Sequence, residues 1–147
     1  MFDLYPSLPK KGRGAISNIT GRFEKTTNHS VDDGWYMADC MAKSVRTTVL
    51  EEQPKTIINK NKSPDLPFNR SINPYRGCEH GCVYCFARPT HAYQGLSPGL
   101  DFESKLFAKS NSKTLLEAEL RKPGYIPEPI AIGTNTDPYQ PIEKNHL

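Results

Sequence analysis

An α/β fold is what this sequence predicts, and three observations predict it. From Phe68 onward, runs with a strand's composition alternate with loops and with stretches of helical periodicity. Pro129-Ile-Ala-Ile-Gly133 is a short apolar run of the kind that suits a buried parallel strand. It ends in Thr134-Asn-Thr-Asp-Pro-Tyr139, a polar cluster at a strand's carboxyl end, where α/β folds bind their ligands.

Taken in order, residues 1–67 read as an irregular amino-terminal arm with short strands, and residues 68–147 as the α/β part. Residues 1–30 are rich in Lys, Arg, Gly, Asn and Thr around Lys10-Lys-Gly-Arg-Gly, without hydrophobic period, and a flexible arm is expected there. Asp33-Gly-Trp35-Tyr36 marks a turn and an aromatic pair that would anchor the arm. Val45–Leu50 and Thr56–Ile58 have the β-branched composition of strands, and Ser63-Pro-Asp-Leu-Pro67 breaks the chain after them.

Phe68–Arg76 is expected as a strand limited near its end by Pro74. A helix is expected over Val83–Tyr93, interrupted or ended in its first part by Pro89. Phe102–Ala108 has a strand's composition, with Asp101 and Glu103 on its solvated face. Ser110 or Asn111 then caps a helix with Leu115, Leu116, Ala118 and Leu120 on an apolar stripe, stopped by Pro123-Gly124. So few strand–helix repeats neither close a barrel nor cover both faces of a sheet, so a truncated chain or part of a larger assembly is expected, of poor solubility alone.

Composition narrows the function. The 147 residues suffice for one domain with a modest core, and 24% charge with 13 prolines points to much irregular chain. Lys+Arg against Asp+Glu runs 10 to 8 over residues 1–67 and 9 to 8 over 68–147, so charge gives nucleic-acid binding no support. No run approaches the roughly 20 apolar residues of a membrane helix. Met1-Phe-Asp-Leu-Tyr-Pro has an acid and a proline where a signal peptide is basic and then apolar. A cytoplasmic protein with reduced thiols and no membrane partner is expected.

The most informative stretch is Asn73-Pro-Tyr-Arg-Gly-Cys-Glu-His-Gly-Cys-Val-Tyr-Cys-Phe86. Three cysteines within eight residues make a poor disulfide framework but a good metal loop. In one reading Cys78, Cys82 and Cys85 hold a 4Fe–4S cluster whose fourth iron is left open to a small molecule. Gly77 and Gly81 would supply the unusual backbone angles such a loop needs, and Arg76 would offset negative charge. In a second, His80 joins the three thiolates around zinc. In a third, Cys40 closes the cluster as an electron-transfer centre. Spacing leaves all three open, and Cys40 is otherwise an incidental thiol.

The C-x3-C-x-aromatic-C pattern, with Tyr84 in the aromatic place, resembles the signature of radical S-adenosylmethionine enzymes. Ala87-Arg-Pro-Thr-His-Ala-Tyr93, Ser97-Pro-Gly-Leu-Asp-Phe-Glu103 and Gly133-Thr-Asn-Thr-Asp-Pro-Tyr-Gln-Pro-Ile-Glu143 are similar to the spore photoproduct lyase-related branch. Lys11-Gly-Arg-Gly-Ala-Ile-Ser17 and Asp32-Asp-Gly-Trp35 are similar to the amino-terminal region of one uncharacterised subfamily of that branch.

The resemblance implies the amino-terminal part of a partial (β/α)6 barrel over residues 68–147, with the cluster loop after its first strand. It implies S-adenosylmethionine chelated to the fourth iron and cleaved by one electron to methionine and a 5′-deoxyadenosyl radical, which abstracts hydrogen from an unidentified substrate. A reduced donor such as flavodoxin or ferredoxin is the implied partner. Tyr84 and Phe86 are placed near the adenine. Thr134, Asn135, Thr136 and Asp137 stand by position where other members carry the Gly-Gly-Glu that binds the cofactor's amino group. On its own chemistry that stretch reads first as a capped turn after a strand. Thr134 and Asn135 occupy the region where the photoproduct lyases carry a hydrogen-donating cysteine, which argues against DNA photoproduct repair. No catalytic side chain is assigned; His80, His91 and Tyr93 read as packing or hydrogen-bonding residues, and Arg88 either meets a carboxylate or solvates a helix end. The alternatives are a closed metal or electron-transfer module and an inactive fragment.

Overall fold

The computed structural model describes residues 9–27 and 44–145. The Trp35–Tyr36 pair and Cys40 lie outside the described residues. Six strands and two α-helices follow in order: β1 (Thr48–Glu52), β2 (Ile58–Lys60), β3 (Arg70–Ile72), β4 (Tyr75–Arg76), α1 (Leu100–Ser104), β5 (Lys105–Lys109), α2 (Ser112–Leu120) and β6 (Ile130–Ile132). Two 3-10 segments, Arg88–Gln94 and Pro141–Asn145, complete them.

The expected partial (β/α)6 barrel does not form among the described residues. There are instead two separate three-stranded mixed sheets, ordered β1-β5-β4 and β2-β3-β6. In the first, β5 lies parallel to β1, from Thr48 opposite Lys105 to Glu52 opposite Lys109, and antiparallel to β4. In the second, β3 is antiparallel to β2 and parallel to β6, with Arg70 opposite Ile130 and Ile72 opposite Ile132.

The cause is local. Proline has no N–H to give a ladder and forces the residue before it into extended geometry, so Asn73-Pro74 cuts the expected Phe68–Arg76 strand. Its halves, β3 and β4, go to different sheets. A barrel needs consecutive parallel neighbours. Here β5 is taken up between β1, which comes from the amino-terminal region, and the antiparallel β4.

Other elements shift for similar reasons. Pro89 falls in the first positions of the Arg88–Gln94 segment, where a missing N–H costs nothing, so it begins the helical turn rather than ending one. Phe102–Ala108 divides: Gly99 starts α1, and only Lys105 onward is strand. Asp101 and Glu103 are buried in α1, not on a solvated strand face. A helix forms after Asn111 as expected, but the Asn111 side chain makes no capping hydrogen bond, and no residue of α2 is buried. β6 is parallel as expected, but it lies at a sheet edge and Ile132 is exposed.

Two small apolar clusters hold this together. Alternation in β5 turns Leu106 and Ala108 inward against Tyr75 and Ile142, with Val49 beside them. Phe102, fully buried, packs with Cys78, Ala87 and Cys85. The phenyl ring meets His91 edge-on at 5.5 Å, and the His91 ring nitrogen bonds the Lys105 carbonyl at 2.9 Å. His91 is therefore a core packing residue, as the sequence suggested. Each such large apolar side chain contributes about 1.5–3 kcal/mol on burial.

Residues 9–27 lack regular secondary structure but are not a free arm. Arg13 donates to the carbonyls of Glu103 and Val45, both at 2.6 Å, and to the Thr47 hydroxyl at 2.8 Å. The Asn18 side chain bonds Asp101 at both its amide and its carboxylate. Phe23 meets Tyr93 at 5.2 Å between ring centres. No helix among the described residues is long and apolar enough to cross a membrane.

Candidate functional site around the cysteine loop

The cysteine loop leaves β4 at Gly77. Gly77 and Gly81 have φ of +75° and +64°, a region that side chains with a Cβ rarely enter. These two glycines fold the chain tightly enough to bring its cysteines to one side. The loop is tied at its base, where the Cys78 amide donates to the Phe102 carbonyl at 2.9 Å. Buried Gln140 clamps the first turn: its carbonyl accepts from the Glu79 amide at 3.0 Å, and its NH2 donates to the Gly77 carbonyl at 3.3 Å.

Cys78, Cys82 and Cys85 are free thiols. All three line one open cavity of about 690 Å³, together with His80, Phe86, Ala87 and residues 133–138. A volume of this size is within the range of small-molecule and cofactor sites. Cys78 is buried and the other two are half-buried. Burial pushes the Cys78 thiol up; the backbone amides of Asp137 and His80 partly offset this, and the Asp137 carboxylate adds to it. Among the described residues no three His, Cys, Asp or Glu side chains are drawn to a common point at metal distances.

Facing the thiols is the turn after β6, at a strand's carboxyl end. Asn73 organises it. The Asn73 NH2 donates to the Thr134 hydroxyl at 3.0 Å, and its carbonyl accepts from the Asn135 amide at 2.8 Å. Buried Thr136 donates to the Tyr75 carbonyl at 3.0 Å. Asp137 accepts from the Tyr139 amide at 2.8 Å, the hydrogen bond of an Asx turn. The same carboxylate stands 3.4 Å from His80, linking turn and loop across the cavity.

The structure thus gathers Cys78, Cys82, Cys85, Phe86, Thr134, Asn135, Thr136 and Asp137 around one cavity. Tyr84 does not line it and is 86% exposed. Arg76 points elsewhere, paired with Glu52 at 2.8 Å across the first sheet. Arg88 meets a carboxylate, that of fully buried Glu103. Asn73, Gln140, Glu103 and Arg13 escaped the sequence reading as parts of the site. Asn73-Pro74 between two strand pieces carried a usable signal; a lone Gln140 carried none.

The donor set fits an iron–sulfur cluster in kind. Three free thiols share a wall, and glycines let the backbone come close.

Among known proteins, the chain is similar to three uncharacterized proteins, two from strains of Mycobacterium tuberculosis (CDC 1551 / Oshkosh and H37Rv) and one from Mycobacterium bovis. Each is 51% identical over 86 residues, covering 56% of this chain. The chain covers 25% of the length of each of these relatives. No family model matches the chain. No solved structure gives a significant match.

Proposed function

We propose that Cys78, Cys82 and Cys85 hold a 4Fe–4S cluster and that the cavity beside them takes S-adenosylmethionine, as in radical S-adenosylmethionine enzymes. The observation that carries this reading is three free cysteines of a C-x3-C-x2-C loop on one wall of a cavity whose opposite wall is a polar turn. Bound there, cluster and cofactor would supply one-electron reductive cleavage of the sulfonium, to methionine and a 5′-deoxyadenosyl radical, for hydrogen abstraction from an unidentified substrate. The residues of the chain bind, orient and shield. The three thiolates would fix the metal side, on a loop held by the Cys78 amide to the Phe102 carbonyl and by Gln140. Thr134, Asn135 and Asp137 offer polar groups to the amino and carboxylate end of the cofactor, on a backbone that Asn73 and Thr136 hold in place. Phe86 gives an apolar wall, with Tyr84 two residues before it. A reduced donor such as flavodoxin or ferredoxin completes the reading, in a cytoplasmic compartment where thiols stay reduced.

His80 lines the same cavity, which supports a second reading: a closed Cys3His zinc site without radical chemistry. One experiment separates them. The protein is reconstituted anaerobically with iron and sulfide, reduced with dithionite, and examined by EPR with and without S-adenosylmethionine. A 4Fe–4S signal whose shape changes on adding the cofactor is expected. A cluster signal indifferent to the cofactor refutes the open site. Tight zinc with no iron uptake, lost in His80→Ala, establishes the second reading instead.

A further inference from the structure

We infer that the buried Arg88–Glu103 pair, with residues 13–15 closed over it, is a positioning device for the cysteine loop. Glu103 lies in α1 and is fully buried, and the Arg88 side chain is 12% exposed. The Glu103 carboxylate accepts from the Gly14 and Ala15 amides, both at 2.9 Å, and from Arg88. Arg88 has five N–H groups, and five acceptors surround them. Nε donates to the Cys82 carbonyl at 3.0 Å, one terminal nitrogen to Pro98 and Gly99 at 3.3 Å, and the other to Gly81 at 3.0 Å and to Glu103. Two of these carbonyls, Gly81 and Cys82, belong to the loop itself. The guanidinium also lies 5.3 Å over the Phe102 ring, whose own carbonyl ties down Cys78.

Such an arrangement does more than add stability. A buried charge pair is a weak source of net stability, but its planar fork fixes direction, and breaking it leaves a charge unpaired. The amino-terminal segment closes the device from outside. A Cβ on Gly14 would lie 1.9 Å from the Gly81 carbonyl oxygen, so the two backbones are in direct contact. Arg13 reaches Thr47, whose hydroxyl donates to Glu79, the residue after Cys78. Loop, α1 and the 13–15 segment are therefore locked through one carboxylate. That the locked loop is a cluster site rests on the function proposed above; the lock itself does not.

The test uses the full chain and three variants. Glu103→Gln removes the charge, and Arg88→Lys keeps charge but offers three N–H groups from a single nitrogen in place of the fork; the second serves where the first does not fold. Ile57→Ala, fully buried and with its amide bonded to Glu119 of α2, controls for lost stability. In metal-free protein, iodoacetamide labelling of Cys82 and Cys85, followed by mass spectrometry, is expected to speed up about tenfold in the first two variants and less than about twofold in the control. After anaerobic reconstitution, the EPR g values of Arg88→Lys are expected to depart from those of the unmodified chain, whereas those of Ile57→Ala do not. Unchanged labelling in both loop variants, or equal acceleration by Ile57→Ala, overturns the inference. If the unmodified chain takes up no cluster while labelling behaves as expected, the cluster reading fails and the positioning role is upheld.

Discussion

Replacing Gly14 by alanine adds one methyl group and is expected to unseat the cysteine loop. The new Cβ would stand 1.9 Å from the Gly81 oxygen and 3.2 Å from a Val83 methyl, where real Cβ atoms keep at least 3.0 Å. The backbones must part by about 1.1 Å, since neither the Gly81 carbonyl nor Gly14 is the end of a flexible side chain. Such a shift stretches the 2.9 Å bond from the Gly14 amide to Glu103 beyond hydrogen-bonding range. A hydrogen bond to a charged acceptor is worth about 1.5–3 kcal/mol. Overpacking costs about 1–3 kcal/mol, and part of it is relieved by the same shift. The net loss is therefore about 2–4 kcal/mol. At about 3 °C per kcal/mol for a chain of this size, Tm should fall by roughly 6–12 °C. Circular dichroism melts of the unmodified chain, Gly14→Ala and the exposed Lys11→Ala decide it. The last should melt within roughly 2 °C of the unmodified chain. If Gly14→Ala does the same, the close approach of the two segments is not real and the reasoning fails.

Phe102→Ala removes a fully buried ring at the base of the loop and should cost about 3–5 kcal/mol, read as a lower urea midpoint at unchanged slope; a loss under about 1 kcal/mol contradicts the packing described. His91 gives a pH dependence. Burial holds its imidazole below the ordinary value of 6.5, outweighing the Lys105 carbonyl and the nearby Asp101 carboxylate, which favour the proton. Below that pH the unfolded chain takes up a proton that the folded chain refuses, so stability falls as pH drops from 6.5 until the folded imidazole itself titrates. Melts at descending pH should show this loss in the unmodified chain and a flatter profile in His91→Gln; parallel profiles refute it.

What the sequence disclosed, it disclosed through chemistry tied to spacing. Three cysteines in eight residues announce a site, and Gly77 and Gly81 announce the tight loop. The polar run after Pro129–Gly133 announces a turn at a strand's carboxyl end, and the structure sets it opposite the thiols. Sheet membership was not legible. β3, β4 and β6 have only two or three residues each, too few for alternation to say which neighbour they join. The pairing of β1 with β5 is a contact between segments more than fifty residues apart that no local pattern encodes. Glu103 misled for a physical reason. Its alternation with Asp101 mimics the outer face of a strand, and only the arrival of Arg88, Gly14 and Ala15 makes a buried carboxylate tolerable there.

The break at Asn73-Pro74 has a thermodynamic corollary. The loop hangs from β4 in one sheet and the polar turn from β6 in the other, so the cavity straddles the seam where the chain crosses between sheets. Any small molecule seated there touches both halves at once and acts as a removable cross-brace. Its free energy of binding is added to the cohesion of the whole chain, by about 2.7 kcal/mol at a hundredfold excess over Kd. A library of sulfonium compounds, nucleosides or metals could thus be ranked by melting shift alone.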